Sequence, residues 1–269
     1  MLSLSNNAMQ DLPFVWSLRK DRVQSYALGT MHQTWTDYSA AEHELLSRCS
    51  MLLLEADPRK VCATELVKAI SAMPQPLLGL DDLTERELQL LNEHTGTSRE
   101  VLEKTPPLLI PFMYLRQVVN SIGSPSYSME QELVEAAEAS KKQVVGLEIL
   151  EEQIDFLKTG ISKQLQEFPL KKLADPCFRE KYVRNMRGLI DAYTSGEVSA
   201  IFAVIERYKK ECGVILGFEK VPERNKNMVD RSIPHLAESC LVAVGAMHLL
   251  GDQSMLDLYR EKGFSVERV

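Results

Sequence analysis

Two short apolar runs, Met51–Leu54 and Leu241–Val244, constrain the architecture more than any other feature of the chain. Neither contains a polar residue to turn toward water. Such runs suit strands buried on both faces, and a sheet of such strands is parallel and covered by helices. The second run leads into Gly245-Ala246-Met247-His248. Near the start of the chain, Ser25-Tyr26-Ala27-Leu28 leads in the same way into Gly29-Thr30-Met31-His32. After each G-x-x-H turn the pattern predicts a helix and then another strand. After His32 these are Tyr38–Cys49 and Met51–Leu54; after His248 they are a short helix and a final strand near Val269. Both are βαβ units, whose crossovers are right-handed.

The rest of the chain fits around these ends. Phe14–Leu18 and Arg22–Leu28 read as a hairpin turning at Arg19–Asp21. Asp37 or Ser39 is placed to cap the helix at Tyr38. Thr84 and Glu87 have the spacing of a capping box for a helix to His94. Beyond Thr105-Pro106-Pro107, Leu108–Val119 reads as a strongly apolar helix, followed by a loop over Gly123–Ser128. An acidic helix, Met129–Ser140, leads to a strand over Gln143–Glu148. Helices are expected over Glu151–Lys158, Cys177–Thr194, Glu197–Cys212 and Asn225–Ser239. The expectation is a single α/β domain over 1–269, with a central mixed, largely parallel β-sheet flanked by helices. Helical cap insertions are expected at about 83–119 and 156–239, where strand signals are few.

Composition narrows the function classes. A net charge of −7 and the lack of a long Lys/Arg cluster exclude non-specific nucleic-acid binding. Five scattered cysteines without a C-x-x-C pair suit reduced thiols better than a disulfide framework. The first residues have neither the basic nor the apolar region of a secretory signal. The longest apolar run, Cys240–Leu250, falls well short of the ~20 residues of a membrane span. A soluble, cytoplasmic protein without a membrane span is expected.

In open α/β sheets ligands bind beyond the carboxyl ends of the strands. His32, Glu55, Glu148 and His248 all stand there, and parallel strands would bring them to one edge. Two neutral imidazoles and a carboxylate form a familiar catalytic metal set, with positions left open for water and substrate. The two histidines in matching βαβ contexts, His32 and His248, with Glu55 also at a strand end, are the candidates for a functional role. His43, His94 and His235 lie on predicted helices without ligand spacing and read as surface or structural residues. Glu151-Glu152 reads as a solvated helix start. Asn225 reads as a helix N-cap, and Arg224 as an anion or substrate-carboxylate binder with salt-bridging as the default.

Several segments, in order, resemble one known family. They are Leu28–His32, Leu54–Asp57, Gly146–Glu148 with Gln153, Ala192-Tyr193 with Gly196-Glu197, Arg224-Asn225 with Met228, Val244–Gly251 and Gly263–Val266. The chain from about Leu12 onward resembles the TraB/PrgY/GumN family, which includes the Tiki metalloproteases. The resemblance implies a fold similar to the ChaN and erythromycin-esterase group. It also implies a divalent ion, manganese or cobalt before zinc, held by His32, His248 and Glu55. Two departures stand out. Where family members often carry Gly-x-Asp before the acidic helix, this chain has Ser128-Met129-Glu130. Exported or membrane-anchored relatives carry segments not recognised here.

The expected function is a metal-dependent hydrolase, a peptidase or amidase acting on a peptide or small-molecule substrate through ion-activated water. Glu55 is counted as catalytic through the ion it holds, Glu148 is a general base or an outer-shell ligand, and Arg224 steadies an oxyanion or a substrate carboxylate. Arg224, Asn225 and Glu130 are the substrate-binding candidates. The alternatives are a metal-independent, esterase-like hydrolase with a histidine general base, or a protein that sequesters a peptide or small ligand without turnover.

Overall fold

The structure, a computed structural model, describes residues 11–32, 34–60, 63–73, 79–123, 128–156, 158, 169–213 and 221–269. Its sheet has six strands: β1 Val15–Lys20, β2 Val23–Thr30, β3 Met51–Leu54, β4 Gln143–Gly146, β5 Cys240–Gly245 and β6 Ser265–Arg268. Their order is β4-β3-β5-β2-β1-β6. The first four in that order are mutually parallel. β1 forms the expected hairpin with β2, and β6 joins β1 antiparallel. Every residue of β3 is buried, as are Cys240–Val244 of β5, which is what their unbroken apolar sequence demands.

Neither βαβ unit places its own two strands side by side. β5 lies between β2 and β3, while β2 and β1 separate β5 from β6. The last unit of the chain therefore completes the first.

The helix α1, Ser39–Ser47, connects β2 to β3. Tyr38 is its N-cap and makes no side-chain cap bond; Asp37 instead accepts from the Ser39 N–H at 2.9 Å. Helices α2 (Ala63–Ser71) and α4 (Arg99–Lys104) were not expected from the sequence. Between them, α3 (Glu85–Thr95) has the full Thr84–Glu87 capping box and ends at Gly96, whose φ of 67° suits glycine. Next come α5 (Ile110–Ser121), α6 (Met129–Ala139) with Ser128 as N-cap, and α7 (Leu150–Phe156). Of the loop expected over Gly123–Ser128, residues 124–127 lie outside the described residues. The helix Pro176–Ser195 runs from an Asp175 N-cap to a left-handed Gly196, and Val198–Cys212 follows it.

The helix expected over Asn225–Ser239 is corrected at both ends. It covers Val221–Ser232, and a separate 3-10 turn covers Leu236–Glu238. Pro222 in the first turn is compatible with the early start, because prolines fit where the N–H has no intrahelical partner.

Among the described residues two large apolar clusters result, with a small third one of Ile70, Met73 and Leu108. The larger joins the sheet to α1, α6 and the C-terminal helix Met255–Glu261. The second gathers Leu91, Leu102, Ile110, Tyr114 and Val118 with Leu173, Phe178 and Cys212. The helix Pro176–Ser195 links them, with Phe178 in one and Ala192 and Tyr193 in the other. No described helix is long and apolar enough to cross a membrane.

Candidate functional site

The two G-x-x-H turns meet. β2 and β5 are parallel neighbours with Thr30 opposite Gly245, so both turns leave the sheet at the same edge. Their contact is close at Gly29. A Cβ there would stand 3.1 Å from the Cα of Ala246 and 3.1 Å from the Cβ of Phe14, too tight for an ordinary side chain. The Tyr193 hydroxyl donates to the Gly29 carbonyl at 2.7 Å and ties the long helix to this point. Gly146 has a similar role on the other side of β3. A Cβ there would lie 2.8 Å from the backbone nitrogen of Asp57.

β3 ends beside β5, with Leu54 opposite Ala243, and this places Glu55 next to His248. The His248 Nε2 lies 3.4 Å from Glu55 Oε2, and the imidazole is buried. Its Nδ1 meets the Asn225 Oδ1 at 2.7 Å, while the Asn225 amide nitrogen donates to the Gln253 carbonyl at 2.9 Å. A carbonyl only accepts, so Gln253 fixes the Asn225 amide with its oxygen toward His248. Nδ1 must then carry a proton and donate it. In a neutral ring, Nε2 is left with a bare lone pair facing a carboxylate oxygen. Two acceptors at that separation call for a proton or a cation between them.

Arg224 stands on the other side of Glu55. Its Nε and Nη2 donate to the two oxygens of buried Glu148, each at 2.7 Å, and Nη2 also donates to Glu55 Oε1. The guanidinium lies over the Phe156 ring, 4.5 Å from its centroid. Burial alone would push the Glu55 carboxyl up, but the hydrogen bond and charge of His248 when its Nε2 carries a proton, together with the charge and hydrogen bond of Arg224, outweigh it and lower its pKa. Burial also opposes the charge on Arg224, and here too the two glutamates prevail and hold it protonated.

His32 makes a second imidazole–carboxylate pair. Its Nδ1 lies 3.2 Å from Glu130 Oε2, and the side chain is 86 % exposed. Glu130 also accepts from Thr30 Oγ1 at 2.5 Å and from Ser128 Oγ at 3.0 Å. For Glu130, burial is again the largest influence and acts upward, but the His32 and Thr30 bonds lower the carboxyl to about 2. The Glu130 bond and charge raise the His32 pKa, although water screens so open a pair. The Ser128-Met129-Glu130 segment is thus built into the site: Ser128 caps α6 and both hydroxyls orient the glutamate.

These groups border a cavity of about 570 Å³. Thr30, His32, Glu55, Arg224 and His248 supply polar lining, and Phe112, Leu115, Val119, Phe156, Met186 and Leu189 supply apolar lining. A second hollow of about 390 Å³ shares His32, Glu55, Glu130 and Gly245 with it, and adds Gln131 and Gln153. Two of the other histidines are accounted for elsewhere. His43 pairs with Glu132, and His94 Nδ1 meets the Leu173 carbonyl at 2.7 Å.

A family model described as the TraB/PrgY/gumN family matches residues 14–268. The chain belongs to the TraB/PrgY/gumN family. Searches of curated proteins and of solved structures found no match.

The metal implied by the resemblance to this family can be tested against the residues present. The chemistry at His248 and Glu55 fits a cation, since a fixed imidazole tautomer presents its lone pair beside a carboxylate. The arrangement supplies those two ligands only. His32 is engaged with Glu130, and among the described residues no three His, Cys, Asp or Glu side chains form a group able to hold an ion. His32 meets Glu130 through Nδ1, so Nε2 is the nitrogen that could become a third ligand.

Sequence reasoning gave Asn225 the wrong structural role. It is buried inside the helix rather than capping it, and it orients His248. The early proline, Pro222, was the available signal. Arg116, a cation on the same face of α5 as Phe112, Leu115 and Val119, is not marked by any motif in the sequence.

Proposed function

We propose that this family member is a hydrolase of peptides or related amides, dependent on a divalent ion. His248 and Glu55 would hold the ion, with His32 as the third ligand. Manganese or cobalt is favoured, with zinc as the alternative. The observation that carries the reading is the His248 tautomer: its proton is committed to Asn225, and the free nitrogen faces Glu55. A bound ion supplies activation of water and polarisation of a carbonyl.

The chain's own residues do the rest. Asn225 keeps the imidazole lone pair aimed at the site. Glu148, with both oxygens held by Arg224, orients that guanidinium. Arg224 is then placed to steady negative charge growing on a substrate oxygen. Glu130 accepts from the His32 imidazole and keeps a proton there. The apolar cavity and the polar hollow share an edge at Glu55 and Gly245, which suits an elongated substrate with a scissile bond at the junction.

The ion-free reading has an observation of its own in favour, since a proton between His248 Nε2 and Glu55 would satisfy the same pair. His248 and Glu55 would then act as an acid–base couple. One experiment separates the two readings. Purified protein is loaded with manganese, desalted and assayed by elemental analysis, and peptide-mixture cleavage is followed by mass spectrometry with and without chelator. About one retained ion per chain, lost in His248→Ala, together with chelator-sensitive cleavage, supports the metal reading. Cleavage that ignores chelator supports the ion-free one. No cleavage under any condition rejects both.

A further inference from the structure

The helix α5 turns two faces inward. Ile110, Tyr114 and Val118 are buried in the second apolar cluster. Phe112, Leu115, Arg116 and Val119, spaced i, i+3, i+4 and i+7, line the cavity. Three of those four are apolar, and the fourth is a guanidinium.

The cavity's other charges are already matched. Glu55 is engaged by Arg224 and His248, and Glu130 by His32, Thr30 and Ser128. Arg224 is shared between Glu55 and Glu148. Arg116 has no hydrogen-bond or ion-pair partner among the described residues, and of the arginines lining this cavity it is the one without a carboxylate, since Arg224 is held by Glu55 and Glu148. An arginine with no carboxylate partner, on the lining of a cavity with apolar walls, is a receptor for an anion carried by an apolar ligand. Its planar fork matches a carboxylate in particular.

We infer that Arg116 is a specificity-determining residue that receives a carboxylate of the substrate, on the part that occupies the apolar cavity. This rests on the cavity being the substrate site of the proposed function. The carboxylate has two possible sources, a free peptide C-terminus or an acidic side chain.

Binding can test this without turnover. The probes are N-acetyl-phenylalanyl-leucine, its C-terminal amide, and the amide of N-acetyl-phenylalanyl-glutamate. Each is titrated calorimetrically into the wild-type protein, Arg116→Gln and Arg116→Lys. Arg116 is exposed, so neither substitution disturbs a packed core, and matching thermal melts confirm folding. The free acid should bind the wild type about tenfold more tightly than its amide, the worth of one charge-assisted contact. Arg116→Gln should erase that preference and leave affinity for the amide unchanged, and Arg116→Lys should keep part of it. If the glutamate probe alone shows the Arg116-dependent gain, the source is an acidic side chain. The inference is overturned if neither carboxylate-bearing probe binds the wild type more tightly than the phenylalanyl-leucine amide, if the preference survives Arg116→Gln, or if every probe fails to bind. Acid-selective binding without any peptide cleavage would sustain the carboxylate site while rejecting the hydrolase reading.

Discussion

At Asn225 the side-chain amide can face only one way, and His248 inherits the consequence. The Gln253 carbonyl takes the amide protons, which leaves Oδ1 for the imidazole. In ¹⁵N spectra recorded where His248 is neutral, Nδ1 should carry the proton and Nε2 should be bare; the opposite pattern would show that the chain of bonds is not as drawn. Asn225→Asp replaces the donor toward Gln253 with a second oxygen in a buried place. We expect it to cost about 1–3 kcal/mol of stability, the range for a stranded buried polar group, read by urea denaturation. Little of this was legible in the sequence. The two histidines could be found because glycine and an apolar strand precede each one. Asn225 could not, since its role depends on a backbone carbonyl distant in sequence. Arg116 gave a weaker signal, a lone cation in an apolar helical stripe, which means nothing until the cavity is known.

Among the elements, the pairing of β2 with β5 decides whether a site exists at all. The apolar runs predicted strands and the direction of each crossover, but a βαβ unit may span any number of intervening strands. The insertion of β5 between β2 and β3 is therefore a property of the whole sheet and was not readable locally. Gly29 is where this pairing is most exposed to substitution. Gly29→Ala would push against backbone at Ala246 and against Phe14, neither of which is the flexible end of a side chain. Overpacking of this kind typically costs about 1–3 kcal/mol. A variant with unchanged urea midpoint would show that the turns have slack. A second contact fixes the helix that carries Arg224 and Asn225. Arg231 on that helix binds Glu152 of α7 and also donates to the Leu147 carbonyl at 2.7 Å. The Arg231 hydrogen bonds lower the Glu152 pKa, with burial opposing. A carboxylate depressed in the folded state adds stability that is present above its unfolded pKa of about 4.3 and is lost as pH falls through the folded value. Glu152→Gln should therefore lower stability near neutrality by roughly 0.2–1 kcal/mol, a partly exposed pair's worth, and flatten the acid limb of the stability curve. An acid limb identical to the wild type's would exclude this contribution.

On the scale of the whole molecule, the site lies between two large apolar clusters that the helices Pro176–Ser195 and Val198–Cys212 join. The sheet cluster supplies Glu55, His248 and the G-x-x-H turns, while α5 and the helix Pro176–Ser195 supply apolar cavity lining. We propose that the segments around 83–119 and 169–212 act as a helical cap that opens without unfolding the sheet. Local opening follows the least-connected cooperative unit, and several contacts that tie the cap to the sheet can be named. The Tyr193 hydroxyl on Gly29 and the rings of Phe14 and Tyr38 against Tyr193 are among them. Native-state hydrogen exchange should then show β2, β3 and β5 opening only at the global free energy. Helices α3, α5 and the first turns of Pro176–Ser195 should exchange together at a lower one. Tyr193→Phe should lower the second value by about 0.5–1.5 kcal/mol, one hydrogen bond's net worth, and leave the sheet less affected. A ligand that binds the cavity touches both clusters, so it should raise the opening energy of the cap before that of the sheet, by an amount set by its concentration relative to Kd. Identical exchange energies in the two clusters, with and without ligand, would mean that the helices and the sheet open as one unit and that the cavity is no hinge.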